Sequence, residues 1–247
     1  MTTPLADPIL EATRVHGDAQ GAGLTLRVTG GVAVAIRCPS SQLPPLARPY
    51  GDIDLVAPLK ESRRLVELFA SLGYQPDAAF NALHGARRLF FWDAVNSRQI
   101  DVFLDVFEMC HKLDLTARLR LQGTTISLAD LLLSKLQIVE TNDKDLKDIL
   151  SLLVDHPLSE DETGMNVSYI AALTAGDWGL WRTTTMIAER ADQYSQSLEG
   201  FAQRDRVHKQ VAQLLGALER STKSTRWKLR ARLGDRVRWY ELPEEGH

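Results

Sequence analysis

At 247 residues, 44% of them apolar, the chain is long enough for one large domain or for a core domain with a smaller one beside it. Its first residues lack the basic start and long apolar run of a secretory signal, and no apolar window reaches membrane-spanning length, so the expected compartment is the cytoplasm. The net charge of −3 conceals an asymmetry: 11 Lys and Arg face 6 Asp and Glu over 203–247, whereas 18 face 26 over 1–202.

Taken in chain order, the sequence predicts a helix over 8–20, a short strand over 24–29 and an apolar helix over 32–37 opened by Gly30 and Gly31. The stretch 39–49, with four prolines and two serines, reads as a loop because proline continues neither flanking element. A strand over 52–56 follows. Pro58 then starts an amphipathic helix to 72, with Leu65, Leu68, Phe69 and Leu72 at helical spacing and Gly73 ending it. Two β-prone runs, 88–92 and 99–107, are joined by turn formers and read as a hairpin. Ser127 opens a helix to 140, with Asp130 three positions on, close to a capping box. Asn142 or Asp143 begins another to 154, whose buried stripe is Leu146, Ile149, Leu150 and Leu153. Pro157 and the polar run 159–166 read as a linker, and the remainder as mostly helical to 234. The expected division is therefore 1–157 and 158–247.

Cys38 and Cys110 match no metal-ligand spacing and read as reduced thiols, which leaves the sequon at Asn166 idle. The carboxylates are more telling. In an extended strand successive side chains alternate faces, so Asp52 and Asp54 point the same way while Ile53 and Leu55 pack behind them. Two carboxylates on one face repel each other and resist burial unless a cation neutralises them, and Mg²⁺ favours this kind of oxygen ligand. A third carboxylate has two candidates on one later strand, Asp101 and Asp105, about 13 Å apart and so too distant for both to serve one metal pair. Gly30 and Gly31 end a strand and open a helix, where free amides attract anions and glycine permits a phosphate to approach. Lys135 lies in the apolar run 131–136, from which it either snorkels to solvent or faces an anion. Asp145 and Asp148, three apart, share a helix face.

In this order the pieces resemble the DNA polymerase β-like nucleotidyltransferase superfamily, over roughly 24–154. The resemblance is carried by Gly30 and Gly31, by Asp52 and Asp54 preceded by Arg48, and by Asp101 in its setting 98–102. Residues 131–137 and 144–149 look like the lysine and Lys/Arg-Asp-x-x-Asp motifs of abortive-infection (AbiEii-type) toxin nucleotidyltransferases. Three features depart from the pattern: a longer, proline-rich connection before Asp52, Tyr50 where a small hydroxyl residue is common, and Gly31 where many active members have serine.

The resemblance implies an α/β fold, a nucleotidyltransferase fold with a small mixed sheet flanked by helices, plus a helical C-terminal region. It implies transfer of a nucleoside monophosphate from an NTP to an acceptor, with two Mg²⁺ ions held by Asp52, Asp54 and Asp101. Lys135 would neutralise the triphosphate, Asp145 or Asp148 would position Lys135 or the acceptor, and Arg48, Gly30 and Gly31 would contact the nucleotide. His84 and His111 are further candidates to line the cleft, and a toxin–antitoxin setting implies an antitoxin partner. The acceptor stays open between RNA, a small hydroxylated molecule and a protein, and a non-catalytic nucleotide- or RNA-binding member of the fold is the alternative. Two readings also stand for the basic tail, where Arg226, Lys228, Arg230 and Arg232 are interleaved with Trp227 and Trp239. It either grips RNA or docks on the acidic body.

Overall fold

Asp7 starts the first helix, α1 (Pro8–Gly21), by accepting hydrogen bonds from the Ile9 and Leu10 amides at 2.7 and 3.0 Å, with proline at the first helical position. The structure, a computed structural model, describes residues 3–242. It is a mixed α/β chain whose internal contacts divide it into two units. One comprises the chain as far as Arg37, Pro49–Phe107 and Leu113–Ser127; the other comprises Cys38–Arg48, Glu108–Lys112 and the chain from Leu128 onward. The expected boundary at 157 and this division differ, because the helices over 128–155 group with the helices that follow them.

In the first unit the chain runs from α1 through β1 (Arg27–Thr29), α2 (Gly30–Arg37), β2 (Ile53–Ala57), α3 (Ser62–Ser71), β3 (Gln75–Pro76), α4 (Ala78–His84), β4 (Arg88–Asp93) and β5 (Arg98–Leu104). The five strands form one mixed sheet in the order β1-β2-β5-β4-β3. Only the β2–β5 pair is parallel. Ile53, Leu55, Ile100 and Val102 on these two strands are fully buried. Burial of such side chains contributes about 1.5 to 3 kcal/mol each. The helical spacing read in α3 is realised, with Leu65 and Phe69 buried and the Phe69 ring stacked on Phe91 of β4 at 4.4 Å between centroids.

Glu11 of α1 is a buried charge with a full set of partners. Its carboxylate accepts from Arg14 Nε and Nη2 at 2.8 and 2.7 Å, from the Leu5 amide at 3.1 Å and from the Tyr74 hydroxyl. Burial works to raise the Glu11 pKa, but the hydrogen bonds from Arg14, Tyr74 and Leu5 outweigh it and hold the carboxyl below its ordinary value.

A short ribbon, β6 (Val106–Glu108) and β7 (Lys112–Asp114), precedes the helical unit. That unit contains α5 (Leu128–Leu136), α6 (Asp143–Asp155), β8 (Leu158–Ser159), β9 (Met165–Asn166), α7 (Val167–Gly176), α8 (Trp178–Ser197), α9 (Arg204–Arg220) and α10 (Thr225–Ala231). Every residue of α5 is buried, Lys135 included. Its end comes earlier than the expected 140, since the Val139 amide turns to the Cys110 sulfur at 3.4 Å instead of a helix carbonyl. α6 starts at a capping box in which Asn142 accepts from the Asp145 amide and Asp145 accepts in return from the Asn142 amide. The expected linker over 159–166 is more ordered than a linker: β8 and β9 pair in parallel, and Gln210 of α9 accepts from the Leu158 amide at 2.9 Å.

Candidate active site

β1 and β2 pair so that Thr29 lies opposite Asp54, and the next residue, Gly30, begins α2 with φ +65°. A Cβ at position 30 would collide with the Asp54 carboxylate, so glycine here serves two purposes: it takes a left-handed turn and leaves room for the acid. On the other edge of β2, Asp54 is the register partner of Asp101 on the parallel strand β5. Adjacent strands lie about 4.8 Å apart, which brings these two carboxylate-bearing positions side by side. Asp52 stands one residue before β2 and is exposed, whereas Asp54 is half-buried and Asp101 is 4% exposed.

Asp101 is not unaccompanied. Arg88 Nε donates to its Oδ1 at 2.7 Å, while the same guanidinium lies 4.9 Å from the Phe103 ring centre and 6.0 Å from that of Phe80. Burial raises the Asp101 pKa, the Arg88 hydrogen bond and charge lower it, and the nearby Asp52 charge raises it again; the net direction is upward. Arg88 is not singled out by any motif in the sequence. The signal was available in the hairpin register: Phe90 faces Asp101, which places Arg88 on the diagonal, within reach of a long side chain.

Asp105 does not share a strand face with Asp101, contrary to the alternation expected over 99–107. β5 ends at Leu104, and Asp105 turns to φ +60°, its amide donating to Ala57 O at 2.9 Å and its carbonyl accepting from Leu115 N at 2.8 Å. The two backbone bonds bend the chain out of the sheet there.

In the helical unit, Lys135 Nζ lies 3.2 Å from Asp145 and 2.9 Å from Asp148. Arg48 clasps Asp148 through two bonds, Nε to Oδ1 at 2.8 Å and Nη2 to Oδ2 at 2.7 Å. Burial works to lower the Lys135 pKa, but the charges of Asp148 and then Asp145 outweigh it, and the ammonium is held above its ordinary value. Asp145 and Asp148 are thus both ion-pair partners of Lys135. Arg48, expected at a nucleotide, has a protein carboxylate as its partner.

The histidines are occupied elsewhere. His84 packs on Phe80, with ring centres 4.7 Å apart. His111 Nε2 lies 2.8 Å from Thr183 Oγ1, and burial lowers its pKa against the opposing pull of Asp177 and Glu241.

The tail docks on α8 through its indoles. Trp239 Nε1 donates to Thr183 Oγ1 at 3.0 Å with its ring edge-on to Trp178, and Trp227 meets Trp181 at 5.2 Å between centroids. Asp235 of the tail is held by Arg182 of α8 at 3.0 Å, and Arg226, Lys228 and Arg232 are exposed. No described helix is long and apolar enough to cross a membrane.

For a divalent cation, the donor chemistry fits: Asp52, Asp54 and Asp101 offer hard oxygens, and the lack of a side chain at Gly30 lets the Asp54 carboxylate occupy its place. Among the described residues, however, no group of three or more His, Cys, Asp and Glu side chains converges closely enough to enclose an ion, and Arg88 holds Asp101.

No family model and no curated protein matches the chain. Among solved structures it is similar to the solution structure of the antibiotic-resistance factor ANT(2'')-Ia, at 11% identity and a TM-score of 0.38, over 76% of this chain and 94% of that one.

Proposed function

We propose that this chain is a Mg²⁺-dependent nucleotidyltransferase that moves a nucleoside monophosphate from an NTP to an acceptor. The observation that carries the proposal is the in-register pair Asp54 and Asp101 with Gly30 against the first of them. In the reaction an acceptor oxygen bonds to the α-phosphorus, the bond from that phosphorus to the bridging oxygen breaks, and pyrophosphate leaves. Asp52, Asp54 and Asp101 are the residues that would hold Mg²⁺, whose chemistry when bound is to neutralise triphosphate oxygens and lower the pKa of the acceptor hydroxyl. Gly31, in the first turn of α2, offers its amide to a phosphate. Asp101, the register partner of Asp54, would help take the acceptor proton. Lys135, oriented by Asp145 and Asp148, is the proposed cation for the triphosphate. An antitoxin as partner rests on the resemblance alone.

A second reading, a non-catalytic nucleotide- or RNA-binding member, is favoured by two contacts. Arg88 already neutralises Asp101, and the cluster of Lys135, Arg48, Asp145 and Asp148 is balanced in charge. Incubation of the full chain with each labelled NTP, Mg²⁺ and total cellular RNA, read for label on RNA, protein and small molecules together, separates the two. The enzyme reading expects label on one class of acceptor.

A further inference from the structure

The helical unit contains a cavity of about 650 Å³, within the range of small-molecule sites, bounded by the start of α8 and by the tail. Two half-buried indoles, Trp227 and Trp239, line it together with Tyr240. The charged groups around it are Lys112, Arg226, Arg230 and Arg238 against Asp177 and Glu241, which leaves an excess of positive charge.

Several of these charges already have partners inside the unit. Arg230 is a strut: it donates to Gly234 O at 3.0 Å and Val237 O at 2.5 Å and lies 4.5 Å from the Trp178 ring centre. Lys112 pairs with Glu108 at 2.8 Å, and Asp177 caps α8 by accepting from Leu180 N at 3.1 Å. Arg226 and Arg238 are different. Both are exposed; Arg238 donates Nε to Tyr240 O at 3.0 Å and lies 4.9 Å from the Tyr240 ring centre, and among the described residues Arg226 has no hydrogen-bond or ion-pair partner. Trp227, moreover, keeps its indole N–H buried without an acceptor among the described residues, a cost that its place in a docked helix does not remove.

Planar rings with adjacent exposed guanidinium groups suit a ligand that is itself a planar ring with a phosphate attached. We propose that this cavity binds an unpaired nucleotide of a single-stranded nucleic acid, its base against Trp227 and Trp239 and its phosphates on Arg226 and Arg238. A strand is favoured over a free nucleotide because Lys228, Arg232 and Arg236, close in sequence to the lining residues, are further exposed basic side chains outside the cavity lining. The site does not rest on the transfer reading.

The test is binding of a short labelled oligoadenylate to the full chain in EDTA, so that loss of transfer activity has no bearing on the result. The wild type should bind with salt-dependent affinity and quench tryptophan fluorescence. Arg226→Gln with Arg238→Gln should weaken binding about tenfold or more at an unchanged melting temperature. It should also lower the slope of log affinity against log salt by about 1.4, two phosphate contacts at about 0.7 each for single strands. AMP should displace the oligonucleotide only at much higher concentration. Absence of wild-type binding, or a salt slope that the double variant leaves unchanged, would overturn the proposal. AMP binding as tightly as the oligonucleotide would overturn the choice of a strand.

Discussion

Gly30 lies so close under Asp54 that a methyl group at residue 30 would overlap the Asp54 carboxylate. With φ +65° at Gly30, Gly30→Ala meets both a left-handed backbone penalty of about 1 to 2 kcal/mol and this collision. The variant should lose at least that much stability in denaturant unfolding. Adding Asp54→Ala should restore part of the loss, giving a favourable coupling between the two sites, whereas strictly additive losses would mean that the two do not meet.

Arg88 and Asp101 provide a separate test of the third carboxylate. Asp101→Asn keeps an oxygen acceptor for Arg88 and removes a charge that burial disfavours, so stability should change little, and it should abolish transfer. Asp105→Asn leaves both backbone bonds of residue 105 in place and suits its φ of +60°, so stability should change little and activity by well under tenfold. The opposite pattern would return the role to Asp105.

Lys135→Met would leave Asp148 with Arg48 as its remaining charged partner and Asp145 without its ammonium. Breaking a buried pair in this way costs about 3 to 5 kcal/mol. Arg48→Met should behave alike. A double-mutant cycle on Lys135 and Asp148, followed by chemical denaturation, should give a coupling of at least about 1 kcal/mol.

Glu11 sets part of the acid limit of the fold. Its folded pKa lies below the unfolded value, so its contribution is fully present above the unfolded carboxyl pKa, about 4.3, and is lost as pH falls through the lower folded value. Glu11→Gln should therefore be less stable than wild type at neutral pH, and the gap in melting temperature should narrow below about pH 4. A gap independent of pH would show that the charge contributes nothing.

Much of this arrangement was legible in the sequence because it depends on local chemistry. The Gly30–Gly31 turn, the β2 strand with Asp54 on it, the hairpin and the Asn142 start of α6 follow from glycine, period-two alternation, turn formers and capping. What escaped was set by distant partners. Asp105 leaves the sheet because Ala57 and Leu115 take its backbone groups, α5 stops because Val139 finds the Cys110 sulfur, and β8 exists only through its pairing with β9. Arg88 and Arg48 were assigned no carboxylate in advance, since a salt bridge across 13 or 100 residues leaves no local periodicity.

The most direct measurement is transfer of labelled nucleotide by wild type and Asp54→Asn side by side, with melting temperatures taken on the same preparations. Transfer should fall at least about a thousandfold, equivalent to about 4 kcal/mol of barrier, while the melting temperature stays level or rises because a like charge is removed beside Asp52 and Asp101. No transfer by wild type to any acceptor, or a clear drop in melting temperature with activity retained, would contradict the account and make these acids structural.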